Sequence, residues 1–354
     1  MYSLNDYHYD LPADLIAQHP VEPRDRSKLL CLERQTGRLT HAVFSDLGDH
    51  LKAGDVLVVN NTAVIPARLE GKKESGGKIE VLITDFGGRQ QSNVKNGNFV
   101  CRCLVKASKP SAPGTWFHFA EGLKAEVLDA GHGDYRLKFY ANSDFETLLY
   151  RIGQVPLPPY IKRNSGGLSD WDDKTSYQTV YASRKGAIAA PTAGLHFTQK
   201  LLKDLGIAGV KIVELTLHVG YGTFLPVRVN DIRRHQMHAE LFSIAAHAAD
   251  TINAASTEGK KVVAVGTTCV RTLEFASDSN GAVQAGHGSC DLFIYPGYRF
   301  KTVDAMVTNF HLPKSTLLML VSAFAGRQNV LNAYQEAIRQ HYRFYSYGDA
   351  MFIY

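Results

Sequence analysis

The sequence predicts an α/β protein: a mixed, largely parallel sheet with flanking helices, plus an inserted antiparallel β-barrel. Three observations predict it. After Tyr177 short apolar runs alternate with helical stretches, which argues for a sheet covered on both faces. Between about Ala67 and Tyr140 that rhythm gives way to five or six short strands separated by Gly-, Asn- and Ser-rich turns. This stretch begins and ends inside α/β sequence, so it reads as an insertion. The expected division is a discontinuous α/β domain of residues 1–66 and 153–354 around a barrel of residues 67–152.

Each element has a local reason. Asp14 to His19 reads as a short helical turn, and Val56 to Val59 as a buried strand ended by Asn60-Asn61, a pair that bonds its own backbone in turns. The barrel strands are Ile79 to Ile83, Phe99 to Val105, Thr115 to Phe119, Ala125 to Leu128 and Tyr135 to Phe139. Asn142 or Ser143 caps a helix from about Asp144 to Arg151, which Gly153 stops. Pro156, Pro158 and Pro159 stiffen the return crossing, and Gly166-Gly167 with Asp170 to Asp173 marks a mobile loop. Ala187 to Ala190 reads as a buried strand stopped by Pro191, ahead of a helix opening near Thr198. Further strands are Val210 to Leu217, Val262 to Val265, Leu292 to Tyr295, Ala305 to Thr308 and Met351 to Tyr354. Further helices are Ala245 to Ala255, Val270 to Ala276, Thr316 to Phe324 and Val330 to Arg339.

Composition bounds the function. The 354 residues are 45% hydrophobic and 21% charged, an ordinary soluble composition with material for about two domains. No secretory signal and no bilayer-spanning run is read, and the five cysteines form no CxxC pair, which fits a reducing cytoplasm. Cys101 and Cys103 alternate along a strand and share a face, and they read as small buried or half-buried apolar residues rather than a metal or disulfide pair. The net charge of +5 is mildly basic and does not by itself establish a nucleic-acid partner. There is no GxGxxG fingerprint, no P-loop and no GxSxG elbow, which argues against nicotinamide enzymes, nucleotide triphosphatases and common hydrolases.

The chemistry concentrates in loops at strand ends. GAIAAPTAGLHFT (Gly186 to Thr198) leaves His196 and Phe197 beyond a small-residue turn, Thr192-Ala193-Gly194, that a ligand can approach closely. Asn309 to Ser315, with His311, repeats the arrangement ahead of a helix. Gly266-Thr267-Thr268 joins a strand to a helix with Arg271 near the same end. It reads either as an anion or carboxylate site or as a tight turn with a surface ion pair. Leu217 to Phe224 carries His218, two glycines, and Tyr221 and Phe224. These aromatics serve either a purine or the core. His235 and His238 with Glu240 form either a metal half-site, if helical, or a solvated or RNA-facing edge.

Together LIAQHPVEPRDRSKLL (Leu15 to Leu30), GDVLVVNNTAVIPARLEG (Gly54 to Gly71), AAPTAGLHFT, LHVGYGTFLPV (Leu217 to Val227), VGTTCVRTLE (Val265 to Glu274), TNFHLPKSTLLMLVSAFAG (Thr308 to Gly326) and YRFYSYGDAMFI resemble the S-adenosylmethionine:tRNA ribosyltransferase-isomerase family of the queuosine pathway. The resemblance runs in order along nearly the whole chain. It implies an α/β domain with an inserted barrel, S-adenosyl-L-methionine as ribosyl donor, and no metal. It also implies transfer and isomerisation of that ribosyl group onto 7-aminomethyl-7-deazaguanine at the wobble position of tRNA with a GUN anticodon (Asp, Asn, His, Tyr). The products would be epoxyqueuosine, adenine and methionine. Such chemistry needs acid–base groups near neutral pKa. The expected proton-transfer residues are His196 and His311, then His218, with Asp25 or Glu240 orienting them. Arg271 or Arg24 would hold the methionine carboxylate, and Tyr221, Phe224 or Phe197 would stack adenine. Thr192, Gly194, Gly266, Thr267 and Thr268 would line the cofactor site. Lys72, Lys73, Lys162 and Arg163 flank the insertion and, with Tyr160, would meet the anticodon stem-loop of a cytoplasmic, monomeric enzyme. The rival readings are a tRNA methyltransferase using the same cofactor and a non-catalytic RNA-binding module.

Overall fold

In the computed structural model, residues 2–86, 98–131, 133–163 and 172–354 are described. Most of the loop expected around Gly166-Gly167 lies outside them. The α/β body is built on a nine-stranded sheet in the order Gly286–Cys290, Glu240–Ile244, Lys211–Leu217, Val56–Asn60, Val262–Val265, Ala305–Asn309, Ala350–Ile353, Lys28–Leu32 and Leu39–Val43. The four strands from Lys211–Leu217 to Ala305–Asn309 run parallel, whereas most of the outer pairings are antiparallel. Alternation along the central strand explains its place. Val56 and Val58 enter one apolar cluster, while Leu57 and Val59 enter the cluster on the other face. A strand buried on both faces is a continuous apolar run.

The inserted barrel closes on itself. Its strands follow the order Asp134–Tyr140, Asn98–Ala107, Lys78–Ile83, Arg68–Lys73, Trp116–Phe119 and Lys124–Gly131, all pairings antiparallel. Val81, Phe117, Leu137 and Phe139 fill the interior, and Cys101 and Cys103 lie buried together with sulfurs 3.6 Å apart. The helix Phe145–Ile152 plugs it, with Phe145 stacked 4.6 Å from Phe99. The chain enters and leaves side by side. The Arg68 amide donates to the Gln154 carbonyl at 3.1 Å, and the Gln154 amide returns a bond at 2.8 Å. Gly153 permits this approach, because a Cβ there would lie 2.1 Å from the Pro66 carbonyl oxygen.

Several local expectations are corrected. Asp144, not Asn142 or Ser143, caps the helix Phe145–Ile152 by accepting from the Thr147 amide. The run Ala187 to Ala190 is strand only as far as Ala187, in the short strand Arg184–Ala187; beyond it the Ile188 amide donates to the Val219 carbonyl at 2.9 Å as the chain runs on toward the turn. The strand expected at Leu292 to Tyr295 is instead Gly286–Cys290. Lys28–Leu32 and Leu39–Val43 were not anticipated. Glu240–Ile244 is a strand and His235 and His238 precede it in a loop, so the helical metal half-site does not form.

Candidate functional site

The parallel strands deliver their carboxyl ends to one crevice, the usual ligand position in open α/β sheets. There a cavity of about 400 Å³ is walled by Pro191–Ala193, Gly266–Thr268 and Thr308–Ser315. Tyr160, Tyr177 and Tyr345 supply aromatic walls. Lys314 and Tyr345 on this wall adopt left-handed backbone conformations, φ 59° and 71°, which non-glycine residues rarely take except where the surroundings impose them. The helix Thr267–Ala276 opens onto the cavity from Gly266, with no side chain capping its first N–H groups. Such a terminus favours anionic groups.

Behind the wall lies a polar relay. The Asn309 amide nitrogen donates to the Tyr345 carbonyl at 3.2 Å and to His196 Nε2 at 3.1 Å, while its oxygen accepts from the Thr192 hydroxyl at 2.9 Å. The bond to a carbonyl fixes which end of the amide is the donor. His196 Nε2 is therefore the acceptor, and its Nδ1 proton is directed to Ser27 Oγ at 2.7 Å. Phe44 stacks on the ring at 5.0 Å. Burial, reinforced by the charges of Arg343 and Arg24, pushes the His196 pKa down to about 3. The ring is thus neutral, tautomer-fixed and one residue removed from the cavity, which it reaches through Asn309.

His311 stands on the wall itself. Its Nε2 meets Thr308 Oγ1 at 2.8 Å, its amide donates to the Tyr334 hydroxyl at 2.8 Å, and its carbonyl accepts from the Tyr9 hydroxyl at 2.5 Å. No hydrogen bond engages Nδ1 among the described residues. Burial also pushes this ring's pKa down to about 3. Arg271 is the buried partner of Glu240 and donates from Nε to the Leu292 carbonyl at 3.0 Å and from Nη2 to the Cys290 carbonyl at 3.3 Å. Glu240 also accepts from the Gly220 amide at 2.8 Å. The arginine therefore reaches the cavity with its charge already matched, and Glu240 orients it rather than a histidine.

Of the other anticipated residues, Thr192, Gly266, Thr267, Thr268 and Tyr160 line the cavity with His311 and Arg271. Tyr160 is held by Ser346 at 2.7 Å. Gly194 stands behind the turn against Tyr181, whose hydroxyl would lie 2.0 Å from a Cβ there. Phe197 is fully buried against Phe44, so it is a core ring rather than a stacking face. His218 bonds Thr62 Oγ1 at 2.8 Å and lies against Gly186, outside the cavity wall, with its pKa lowered by burial. Asp25 accepts from the Thr198 hydroxyl at 2.8 Å and, among the described residues, hydrogen-bonds no candidate histidine. Arg24 donates to the carbonyls of Thr175, Ser176 and Gln178. Tyr221 lies beyond the wall in the turn Tyr221–Phe224, and the side chain of Phe224 lies outside the described part. Lys72 lines a separate groove on the barrel, and Lys73 Nζ caps the Lys109 carbonyl at 2.5 Å. Lys162 is exposed, whereas Arg163 is held by Asp173 at 2.7 Å and by the Gln18 carbonyl at 3.0 Å. Tyr345 and Thr308 were missed as site residues, and Asn309 was named only as the start of the His311 loop, with no role of its own. The only signal for them was their place beside His311 or in the late aromatic run.

Among the described residues no group of three or more His, Cys, Asp or Glu is arranged to hold a metal, and no helix is long and apolar enough to cross a membrane. The family model described as queuosine biosynthesis protein matches residues 4–353. The chain is 51% identical over 352 residues to an S-adenosylmethionine:tRNA ribosyltransferase-isomerase of Geotalea uraniireducens, covering 99% of each. It is 50% identical over 351 residues to the protein of that name from Syntrophotalea carbinolica, again covering 99% of each. A crystal structure of S-adenosylmethionine tRNA ribosyltransferase from Thermotoga maritima is similar with a TM-score of 0.55 at 36% identity, over 99% of this chain and 100% of that one.

Proposed function

We propose, from the premise that the chain belongs to the queuosine biosynthesis protein family, that it is an S-adenosylmethionine:tRNA ribosyltransferase-isomerase acting in the carboxyl-edge cavity. The observation that carries this reading is that one cavity is walled at once by the turn after Pro191, the helix start at Gly266–Thr268 and the Thr308–Ser315 loop. S-adenosyl-L-methionine is the ribosyl donor, and the acceptor is 7-aminomethyl-7-deazaguanine at the wobble position of tRNA with a GUN anticodon. The enzyme works as a monomer in the cytoplasm and needs no metal.

The chemistry explains what such a site must do. A sulfonium makes the adjacent 5′ carbon acidic, so a positioned base forms an ylide there. His311, on the wall with Nδ1 facing no protein partner among the described residues, is kept unprotonated by burial, far below the near-neutral range expected from the sequence; it takes that proton and, as the strong acid it then becomes, returns it to the departing adenine. That proton balances the adenine, and the acceptor amine sheds a further proton to solvent as its new C–N bond forms, so one proton is released overall. The acceptor amine attacks the former sugar, the ring rearranges, and methionine leaves as a neutral thioether. Charge disappears from sulfur as this proceeds, and an apolar, water-poor site favours that loss. Thr267 and Thr268, at the uncapped helix start, receive the methionine carboxylate. Thr192 and Asn309 hold substrate hydroxyls, with His196 fixing the amide from behind.

The test is incubation with labelled cofactor and modified tRNA, followed by product analysis. Free adenine and methionine, with the added ring on the RNA, support the reading. S-adenosylhomocysteine or no turnover refutes it.

A further inference from the structure

A second chamber of about 450 Å³ adjoins the first and shares Thr223, Leu225, Pro226, Arg271 and Leu317 with it. Its charged lining is Arg228, Arg234, His235, His238, Glu240 and Arg271. Glu240 is the one carboxylate, and the buried pair with Arg271 already neutralises it. Arg228 and Arg234 are exposed and make no ion pair among the described residues. Their neighbour Arg233 differs, because its guanidinium is held by Asp231 at 2.7 Å and lies 4.7 Å over the Tyr2 ring. The chamber thus has two exposed guanidinium groups without an ion pair among the described residues, Arg234 acting on the Asp231 carboxylate only through its charge, together with apolar surface at Leu225 and Pro226 and a wall in common with the cavity.

Building on the function proposed above, we infer that this chamber seats the single-stranded RNA around the acceptor base, with Arg228 and Arg234 on the phosphates that flank it. Two ligands must exchange a sugar carbon, so their sites must touch, and here they touch across one wall. Single-stranded RNA is held by phosphate contacts and by apolar or stacked faces for splayed bases, and this chamber presents both kinds of surface. Arginine suits phosphate because its planar fork pairs two oxygens. Arg271 lines both spaces and adds no net charge to the wall between them, because Glu240 on the chamber side neutralises it. That wall leaves the cationic sulfonium on one side and the polyanion on the other.

The experiment compares the full chain with Arg228→Glu/Arg234→Glu and with Arg228→Gln/Arg234→Gln. It titrates a synthetic anticodon stem-loop RNA at several salt concentrations and measures cofactor affinity by calorimetry. Neither side chain is buried, so both doubles keep the native melting temperature. Losing two phosphate contacts lowers the slope of log affinity against log salt by about 1.4 in both variants, taking about 0.7 per phosphate on a single strand. RNA affinity falls further in the Glu double than in the Gln double, while cofactor affinity is unchanged. Unchanged RNA affinity and slope overturn the inference, as does an equal loss of cofactor affinity. A wild-type chain that yields no adenine from modified tRNA refutes the proposed function. A wild-type chain that does, beside variants binding RNA normally, refutes this chamber alone.

Discussion

Replacing Asn309 with alanine removes three hydrogen bonds at once, and the structure says what each loss costs. Thr192 borders the cavity and recovers a water partner. His196 is 4% exposed and Tyr345 is 6% exposed, so His196 Nε2 and the Tyr345 carbonyl each lose a buried donor. An orphaned buried polar group costs roughly 1–3 kcal/mol, so Asn309→Ala loses about 2–6 kcal/mol of stability. His196→Leu removes the ring that Asn309 serves. On the Asn309→Ala background it deletes a group already orphaned, so its own cost falls by about 1–3 kcal/mol relative to wild type. The assay is urea unfolding of the wild type, both single variants and the double, each alongside single-turnover adenine release. The reasoning predicts a coupled cycle, with each single variant slowed and the double little slower than Asn309→Ala. Additivity within about 0.5 kcal/mol would refute the relay. An inactive His196→Leu beside a fully active Asn309→Ala would make the ring, not the amide, the group that meets substrate.

Other perturbations test separate parts. His196 has a folded pKa of about 3, below the ordinary 6.5, so the stability tied to its neutrality is present above pH 6.5 and is lost as pH falls toward 3. Unfolding free energies from urea titrations between pH 6 and 4 should therefore fall less steeply in His196→Leu than in wild type, by up to about 1.4 kcal/mol per pH unit, and parallel slopes contradict a neutral buried ring. Glu240→Ala leaves Arg271 buried without its partner and costs about 3–5 kcal/mol, read as a drop in melting temperature, whereas Glu240→Leu/Arg271→Met costs less. Gly194→Ala forces Tyr181 away from the turn that carries Thr192 and costs about 1–3 kcal/mol, and an unchanged melting curve would show that the turn yields freely. Lys162→Glu, on an exposed side chain, weakens stem-loop binding if the RNA crosses the barrel junction, and unchanged affinity removes that footprint.

Much of the fold was legible because periodicity is local. The barrel strands announce themselves by alternation, as in Lys78–Ile83, where every second residue is buried. Thr198, Ser315 and Gly266 mark helix starts by their own chemistry. Where two alternatives were both local, tertiary pairing decided. Gly286–Cys290 is poor in strand formers but completes the sheet edge beside Glu240–Ile244, and the apolar Leu292 to Tyr295 run finds no strand partner. The two cavity loops were legible from their small residues, prolines and histidines. The relay was not, because His196 and Asn309 lie 113 positions apart and only the sheet brings them together. Arg271 was picked out as a charge, but its neutralising partner became visible only once Glu240–Ile244 lay beside that helix.

The most direct measurement follows a doubly labelled cofactor, tagged in the ribosyl and the methionine parts, through a single turnover with modified tRNA. The account predicts ribosyl label on the RNA, methionine label free in solution, and one adenine released per RNA modified, all lost in His311→Phe. Label leaving as S-adenosylhomocysteine, or full activity in His311→Phe, would contradict it.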